Sequence, residues 1–485
     1  MKKKYLILLI LVAFFAACTD KFEDYNLDRK NPAKVAGEAL FSNAEKSLVD
    51  HMSSTNVNVN VFKLFSQYWT ETTYTDEANY DLINRNIPQQ VFRDFYRGFL
   101  RDFQEADKLI TETGFTSPVG QVEMENKLAI IELLVCYSYQ QLVDIFGDVP
   151  YSEAMNIDNI SPKYDKASEI YSDLINRVKA AVAALDDSQG SFGSADFVYD
   201  GDVASWKKFG NSLLVKLGIG IADFDATLAK STIEGAYAGA FTSGGDDALF
   251  PYQTASPNYN PIYDDLVASG RNDFVAANTI VDYMNDLDDP RRPAYFDEVE
   301  GGGFVGGIYG TLSAYSLYSH LSAAIHDPTF PGMLLTYDQL LFYLAEAAAR
   351  NFSVGATAEE LYADAITASF DFWGVSADAA GYLANPDVAW ATAAGDWKQK
   401  IGTQAWIAFY TRGLEGFTSW RRLDFPILNM PESITQYNEI PKRYTYPVNE
   451  QTLNKASWEA ASTSIGGDDM TTPLFWDTEQ PVPVK

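Results

Sequence analysis

The stretch Tyr337–Phe372, YDQLLFYLAEAAARNFSVGATAEELYADAITASFDF, decides the fold. Its first part, Tyr337 to Arg350, is Ala-rich and free of Gly and Pro, as a helix interior requires. Gly355 marks a turn. From Ala358 to Phe372 a second helix follows, with Leu361, Tyr362, Ala365 and Ile366 at helical spacing on one face. Two helices joined by a short turn bury these faces against each other.

Small residues where the helices touch, a glycine between them and an aromatic in the second helix are the signature of a tetratricopeptide-like pair. The pattern recurs upstream. Between Glu123 and Phe146 the residues Leu128, Ile131, Val135, Tyr139, Leu142 and Ile145 share a face, and Gly147 and Pro150 end the helix. Asp165 to Leu185 repeats the period. Further helices are expected at 34–51, 92–113, 203–221, 274–285 and 397–410. The fold class is therefore all-α, built of degenerate, unevenly spaced helix pairs. Residues 244–336 break the pattern, being rich in Gly, Pro, Asn, Ser and Tyr; they read as a loop-rich elaboration, and such long irregular stretches are usually functional. The tail after Pro426 also reads as loop.

The 485 residues carry 36 Lys and Arg against 66 Asp and Glu, a formal net charge of −30. Nucleic acid and anionic lipid faces are poor partners for such a chain, because binding them needs a basic patch or stripe. Charged residues make up 21% and hydrophobic ones 47%, which argues against disorder. With 29 Tyr, 30 Phe and 9 Trp, aromatics reach 14%, enough to supply both a core and a binding surface.

Residues 1–17 read as an export signal: three lysines, the apolar run Tyr5 to Phe15, then Ala16-Ala17 before Cys18. The run is too short to span a bilayer. The small-small-Cys ending resembles a bacterial lipobox, which makes Cys18 the lipidated first mature residue and the membrane anchor. The acidic start Thr19-Asp20-Lys21-Phe22-Glu23-Asp24 resembles the surface-export tag of Bacteroidetes lipoproteins, implying the extracellular face of the outer membrane. Cleavage removes three basic residues and no acidic ones. Residues 18–485 are read as one helical domain. Cys136, in an apolar helical pattern, then has no cysteine partner and reads as a buried thiol.

Chemical motifs are sparse. His51, His320 and His326 lack paired metal-ligand spacing, so no metal and no cofactor is expected. The Gly301–Gly310 run has no Gly-Lys-Ser/Thr after it and reads as a flexible turn, and no Gly-x-Ser-x-Gly occurs. A glycosidase needs only two carboxylates at the right separation, so an all-helical glycosidase remains a rival; acids such as Asp286, Asp288 and Asp289 are more simply a solvated turn. The positive signal is aromatic residues interleaved with small polar ones at 67–80, at 256–263 and at Tyr309, Tyr315 and Tyr318. Sugar rings pair apolar C–H faces with a hydroxyl rim, and peptides also use Tyr-rich surfaces. The candidate platforms are Trp69, Tyr74, Tyr80, Tyr259 and Tyr315, with Asn79, Asn260 and Arg271 as polar partners; Arg271 equally suits an ion pair with Asp273.

The ordered set Phe146-Gly147-Asp148-Val149-Pro150-Tyr151, Trp206, Phe209, Arg271-Asn272-Asp273-Phe274, Asp289-Pro290-Arg291, Pro331-Gly332-Met333, Ala345-Glu346-Ala347-Ala348, Glu415-Gly416-Phe417 with Arg421-Arg422, and Ile440-Pro441-Lys442-Arg443-Tyr444-Thr445-Tyr446-Pro447 resembles the SusD/RagB family over essentially the whole chain. The resemblance implies a non-catalytic outer-membrane lipoprotein that binds a nutrient, a glycan or in some relatives a peptide, and caps a SusC-like TonB-dependent transporter. A mainly structural transporter subunit is the other reading. The two corner motifs, 146–151 and 440–447, are expected to serve the fold or transporter contact, since their Gly and Pro speak to backbone geometry.

Overall fold

The computed structural model describes residues 35–431 and 439–477; the signal segment and Cys18 lie outside them. Helices pack as consecutive pairs. The first is α1 (Gly37–Ser53) with α2 (Arg101–Thr113), the latter entered through Ile87–Arg93 and a π-helical turn at Asp94–Leu100. Next come α3 (Pro118–Phe146) with α4 (Ala167–Ala184), and α5 (Val203–Gly220) with α6 (Ala226–Ala236). After α7 (Asn278–Asp286) follow the pair α8 (Tyr337–Ala349) and α9 (Ala358–Phe372), then α10 (Trp397–Ala408) with α11 (Gly413–Leu423), and finally α12 (Lys455–Ser464).

The helix ends have local causes. Ser117 accepts a hydrogen bond from the Gly120 amide and Pro118 opens α3, while Gly147 ends it at φ +84°, a conformation open to glycine. Thr357 and Glu360 form a reciprocal capping box at the start of α9. Helix α3 has the length and hydropathy of a membrane span, but 83% of that stretch is buried, so it is a core helix. Cys136 lies within it as a buried free thiol, and burial pushes its pKa well up.

Three two-stranded ribbons organise the rest. Strand β1 (Trp69–Glu71) begins the set; β2 (Val149–Pro150) pairs antiparallel with β3 (Tyr164–Asp165) at the corner after α3. Of β4 (Ala248–Phe250), β5 (Phe274–Ala276) and β6 (Gly332–Leu335), the first and last pair with each other, and β5 pairs with β1. The elaboration is thus clasped at its two ends by β4–β6 and stitched to the early chain by β1–β5.

Several expectations need correction. Residues 274–276 form a strand rather than the start of a helix, because they supply the partner edge for β1; the helix begins at Asn278. The tail after Pro426 contains α12. Asp289 is not part of a solvated turn: it is buried and paired with buried Arg291 at 2.6 Å. Helices α6 and α11 were not expected at all.

Helix α11 is the most consequential of these, because every one of its residues is buried. Its charges are all answered. The Glu415 carboxylate accepts from Lys216 Nζ on α5 (2.5 Å), Gln141 Nε2 on α3 (2.9 Å), and Gln339 Nε2 (2.7 Å) and Tyr343 Oη (3.1 Å) on α8. Arg422 pairs with Glu346 at 2.8 Å, and Arg412, just before the helix, pairs with Asp338 at 2.8 Å. Arg421 donates to the carbonyls of Asp144 and Lys442, each at 2.7 Å. Arg443 Nε donates to the Phe146 carbonyl (2.9 Å) and the Tyr444 amide to that of Ile145 (2.8 Å). The corner motifs at 146–151 and 440–447 therefore lock onto each other.

Burial alone would raise the Glu415 pKa; the Lys216 cation and the hydrogen bonds outweigh it and hold the carboxyl below its ordinary value of 4.5. Glu415→Gln leaves the Lys216 cation buried without its counter-charge and is expected to cost about 3–5 kcal/mol in urea unfolding. Adding Lys216→Met is expected to cost less than the sum of the two single changes. A depressed folded pKa means that the stabilisation is complete above the ordinary glutamate range and fades as the pH falls through the lower folded value, so wild type should lose more stability on acidification than the Gln variant does. At Gly416 a Cβ would collide with the Tyr68 hydroxyl, and Gly416→Ala is expected to lower stability by about 1–3 kcal/mol.

Candidate ligand-binding face

The aromatic cluster at 67–80 divides into a buried and an exposed part. Trp69 is 1% exposed: its ring packs on Phe274 at 5.7 Å and its Nε1 donates to Tyr410 Oη at 2.9 Å. Tyr80 is 0% exposed, edge-on to Phe65, and its hydroxyl accepts from Gln67 Nε2 at 3.2 Å. Neither ring can serve as a platform. Trp69 is covered because both faces of β1 are buried, and Tyr80 because it returns between Phe65 and Tyr309. Tyr74, on the turn that follows, is 71% exposed.

Backbone hydrogen bonds bring that turn to the later variable loop. Thr72 N donates to the Asp273 carbonyl (2.9 Å), Ser313 N to that of Glu71 (3.3 Å), and Gly310 N to Thr70 Oγ1 (3.2 Å). Asn79, half-buried, donates through Nδ2 to the carbonyls of Thr75 and Gly310, both at 2.7 Å. Its amide nitrogen therefore fixes the loop rather than a ligand. Around Tyr74 this leaves exposed Ile308, Leu312 and Leu317, and half-buried Tyr315, whose ring stacks on His320 at 3.7 Å and 10°. Sequence reading missed the aliphatic members and His320, because they stand singly in a loop without period.

Beneath the turn lie two carboxyls. The Ala78 amide donates to Glu71 (3.0 Å), while Glu77 pairs with Arg85. Burial and the neighbouring Glu77 raise Glu71 to about 10, and burial raises Glu77 as well. Close carboxyls away from water cannot both ionise, so the pair retains a proton at neutral pH. Both are buried, and they hold the loop rather than face a substrate.

The second cluster continues the face. Tyr259, half-buried, meets Tyr263 edge-on at 5.1 Å and lines a cleft of about 440 Å³ with His51 and Asp265. Asn260 is a further correction: it is buried, accepts from the Ile262 amide (2.7 Å) and donates to the Phe330 carbonyl (2.6 Å), so it caps a short helix. Arg271 is exposed and pairs with Asp273 at 2.7 Å, at a smaller cleft of about 160 Å³ that shares Asn56 and Asp265 with the first. Tyr259, Arg271, Tyr74 and Tyr315 thus keep exposed or half-buried side chains, whereas Trp69, Tyr80 and Asn260 lie inside. Burial drives the His51 pKa down to about 4, and among the described residues no three His, Cys, Asp or Glu side chains are grouped to hold a metal ion.

A search of curated proteins finds no match to this sequence. Solved structures share the fold: a chitin-binding protein (23% identity, 91% of this chain and 100% of that chain, TM-score 0.79), a SusD homolog from Bacteroides uniformis (24%, 91% and 99%, 0.79), and a chitin-binding SusD homolog from Flavobacterium johnsoniae (24%, 91% and 99%, 0.76). Residues 29–447 match the family model SusD-like_2, described as starch-binding and associating with the outer membrane. With the helix pairs, the interlocked corners and a match across most of its length, the chain belongs to this SusD-like family.

Proposed function

We propose that this protein is a non-catalytic surface lipoprotein, anchored through Cys18 on the extracellular face of the outer membrane, that binds an oligosaccharide and delivers it to a SusC-like TonB-dependent transporter. The observation that carries this reading is that exposed Tyr74 and half-buried Tyr315 stand on two loops tied together by hydrogen bonds, with Arg271 paired to Asp273, whose carbonyl accepts from Thr72 of the first loop. Flat rings held on a rigid frame suit the apolar faces of sugars, and a charged edge suits their hydroxyls. The family description names starch, and two structural relatives are named as chitin-binding, which supports a glycan ligand. The exposed aliphatic residues Ile308, Leu312 and Leu317 favour a second reading, in which the same face seats a peptide or the transporter itself.

Calorimetry with starch- and chitin-derived oligosaccharides tests the proposal. Tyr74→Ala and Tyr315→Ala should each weaken binding about tenfold, as loss of a binding hot spot of roughly 1.4 kcal/mol does, with no new reducing ends released. Trp69→Ala should instead lower unfolding stability by about 3–5 kcal/mol, the cost of a large core cavity. Failure of both glycan families, with binding of peptides, would favour the second reading. In cells, Cys18→Ala should move the protein out of the membrane fraction; retention there would count against the lipid anchor.

A further inference from the structure

A separate cleft of about 850 Å³ opens between the chain around β4 and the helix pair α8–α9. Its size falls within the range of about 300–1,000 Å³ common for ligand clefts. The walls include Phe330, Phe372 and Trp373, with Phe330 and Trp373 rings 6.1 Å apart and tilted by 30°. Four aspartates line it: Asp247, Asp338, Asp364 and Asp371. Arg412 answers Asp338, but Asp247, Asp364 and Asp371 have no ion-pair partner among the described residues. No Lys, Arg or His lines the cleft.

This is more than a surplus of acid on an acidic protein. Asp247 accepts from the Tyr337 amide (2.6 Å), and burial, then the neighbouring Asp338, raises its pKa to about 7 against the opposing pull of that hydrogen bond and of Arg412. The Trp373 ring lines the cleft, and its Nε1–H is buried without an acceptor among the described residues. Asp364 and Asp371 are two helical turns apart, about 10 Å along α9 at about 1.5 Å per residue. In an extended polyproline-II chain, side chains three residues apart point the same way and lie roughly 9 Å apart. Lysine stems would pack on the apolar walls, with cations reaching the carboxylates and aromatic rings offering cation–π contacts.

We infer that this cleft binds an extended basic peptide whose lysine or arginine side chains recur every third residue. The site lies apart from the Tyr74 face, and the inference does not depend on the glycan reading. The test is fluorescence anisotropy of the mature protein with a labelled seven-residue peptide carrying lysine at every third position, the same peptide with glutamate instead, and glucosamine oligomers as competitors. Binding of the lysine peptide alone is expected, weakened at least tenfold in the Asp364→Asn/Asp371→Asn variant. Removal of the same charge elsewhere, in Asp158→Asn/Asp187→Asn, should leave it unchanged. All four positions are exposed, so the variants should fold, and matching thermal melts check this. No binding of the lysine peptide, equal binding of the glutamate peptide, equal loss in both double variants, or displacement by glucosamine oligomers as strong as by unlabelled lysine peptide would overturn the inference.

Discussion

The fold depends on a carboxylate placed where water does not reach. Glu415 sits in a helix buried on every side, and its four donors come from α3, α5 and α8. An unanswered charge there would cost several kcal/mol, so those helices must dock together in one arrangement for α11 to be tolerated at all. Helix α11 and its partner α10 also hold the start of the binding region. Ser66 Oγ donates to the Gly413 carbonyl (2.6 Å) and Tyr68 Oη to the Trp406 carbonyl (2.6 Å), which fixes the segment leading into β1. The position of the Tyr74 turn is thus inherited from a polar contact on the next layer inward.

Helix pairs were legible in the sequence wherever one face carries the period. Leu128 through Ile145 and Leu361 through Ile366 announce themselves because their opposite faces are more polar. Helix α11 was not, since it is short and GLEGFTSWRRL mixes Gly, Glu and Arg that only make sense once their partners are known. Residues 274–276 show the converse: an apolar run reads equally as helix or strand until its partner edge, here β1, is in place.

For the candidate site the aromatic clusters were legible, but the depth of each ring was not. Trp69 and Tyr74 lie five residues apart in similar sequence, yet one is core and the other exposed. What separates them is the end of β1 at Glu71: residues 72–76 turn outward before Glu77, Ala78 and Tyr80 return to the interior. Asn260 misled for a related reason. An Asn before Pro suits a ligand's edge and a helix cap equally well, and the Ile262 amide, 2.7 Å from its Oδ1, claims it. Arg271, by contrast, had its partner in view, two residues along.

The retained proton of the Glu71–Glu77 pair bears on the protein's electric field. A formal count of −30 gives every carboxyl its full charge, yet Glu71 stays protonated at neutral pH, and burial and nearby Asp196 push the pKa of buried Glu45 up as well. The true charge is therefore less negative than the residue tally, and one of the missing charges lies directly under the Tyr74 turn. A dissolved molecule approaching that turn meets one charged carboxyl fewer than the sequence alone would place there.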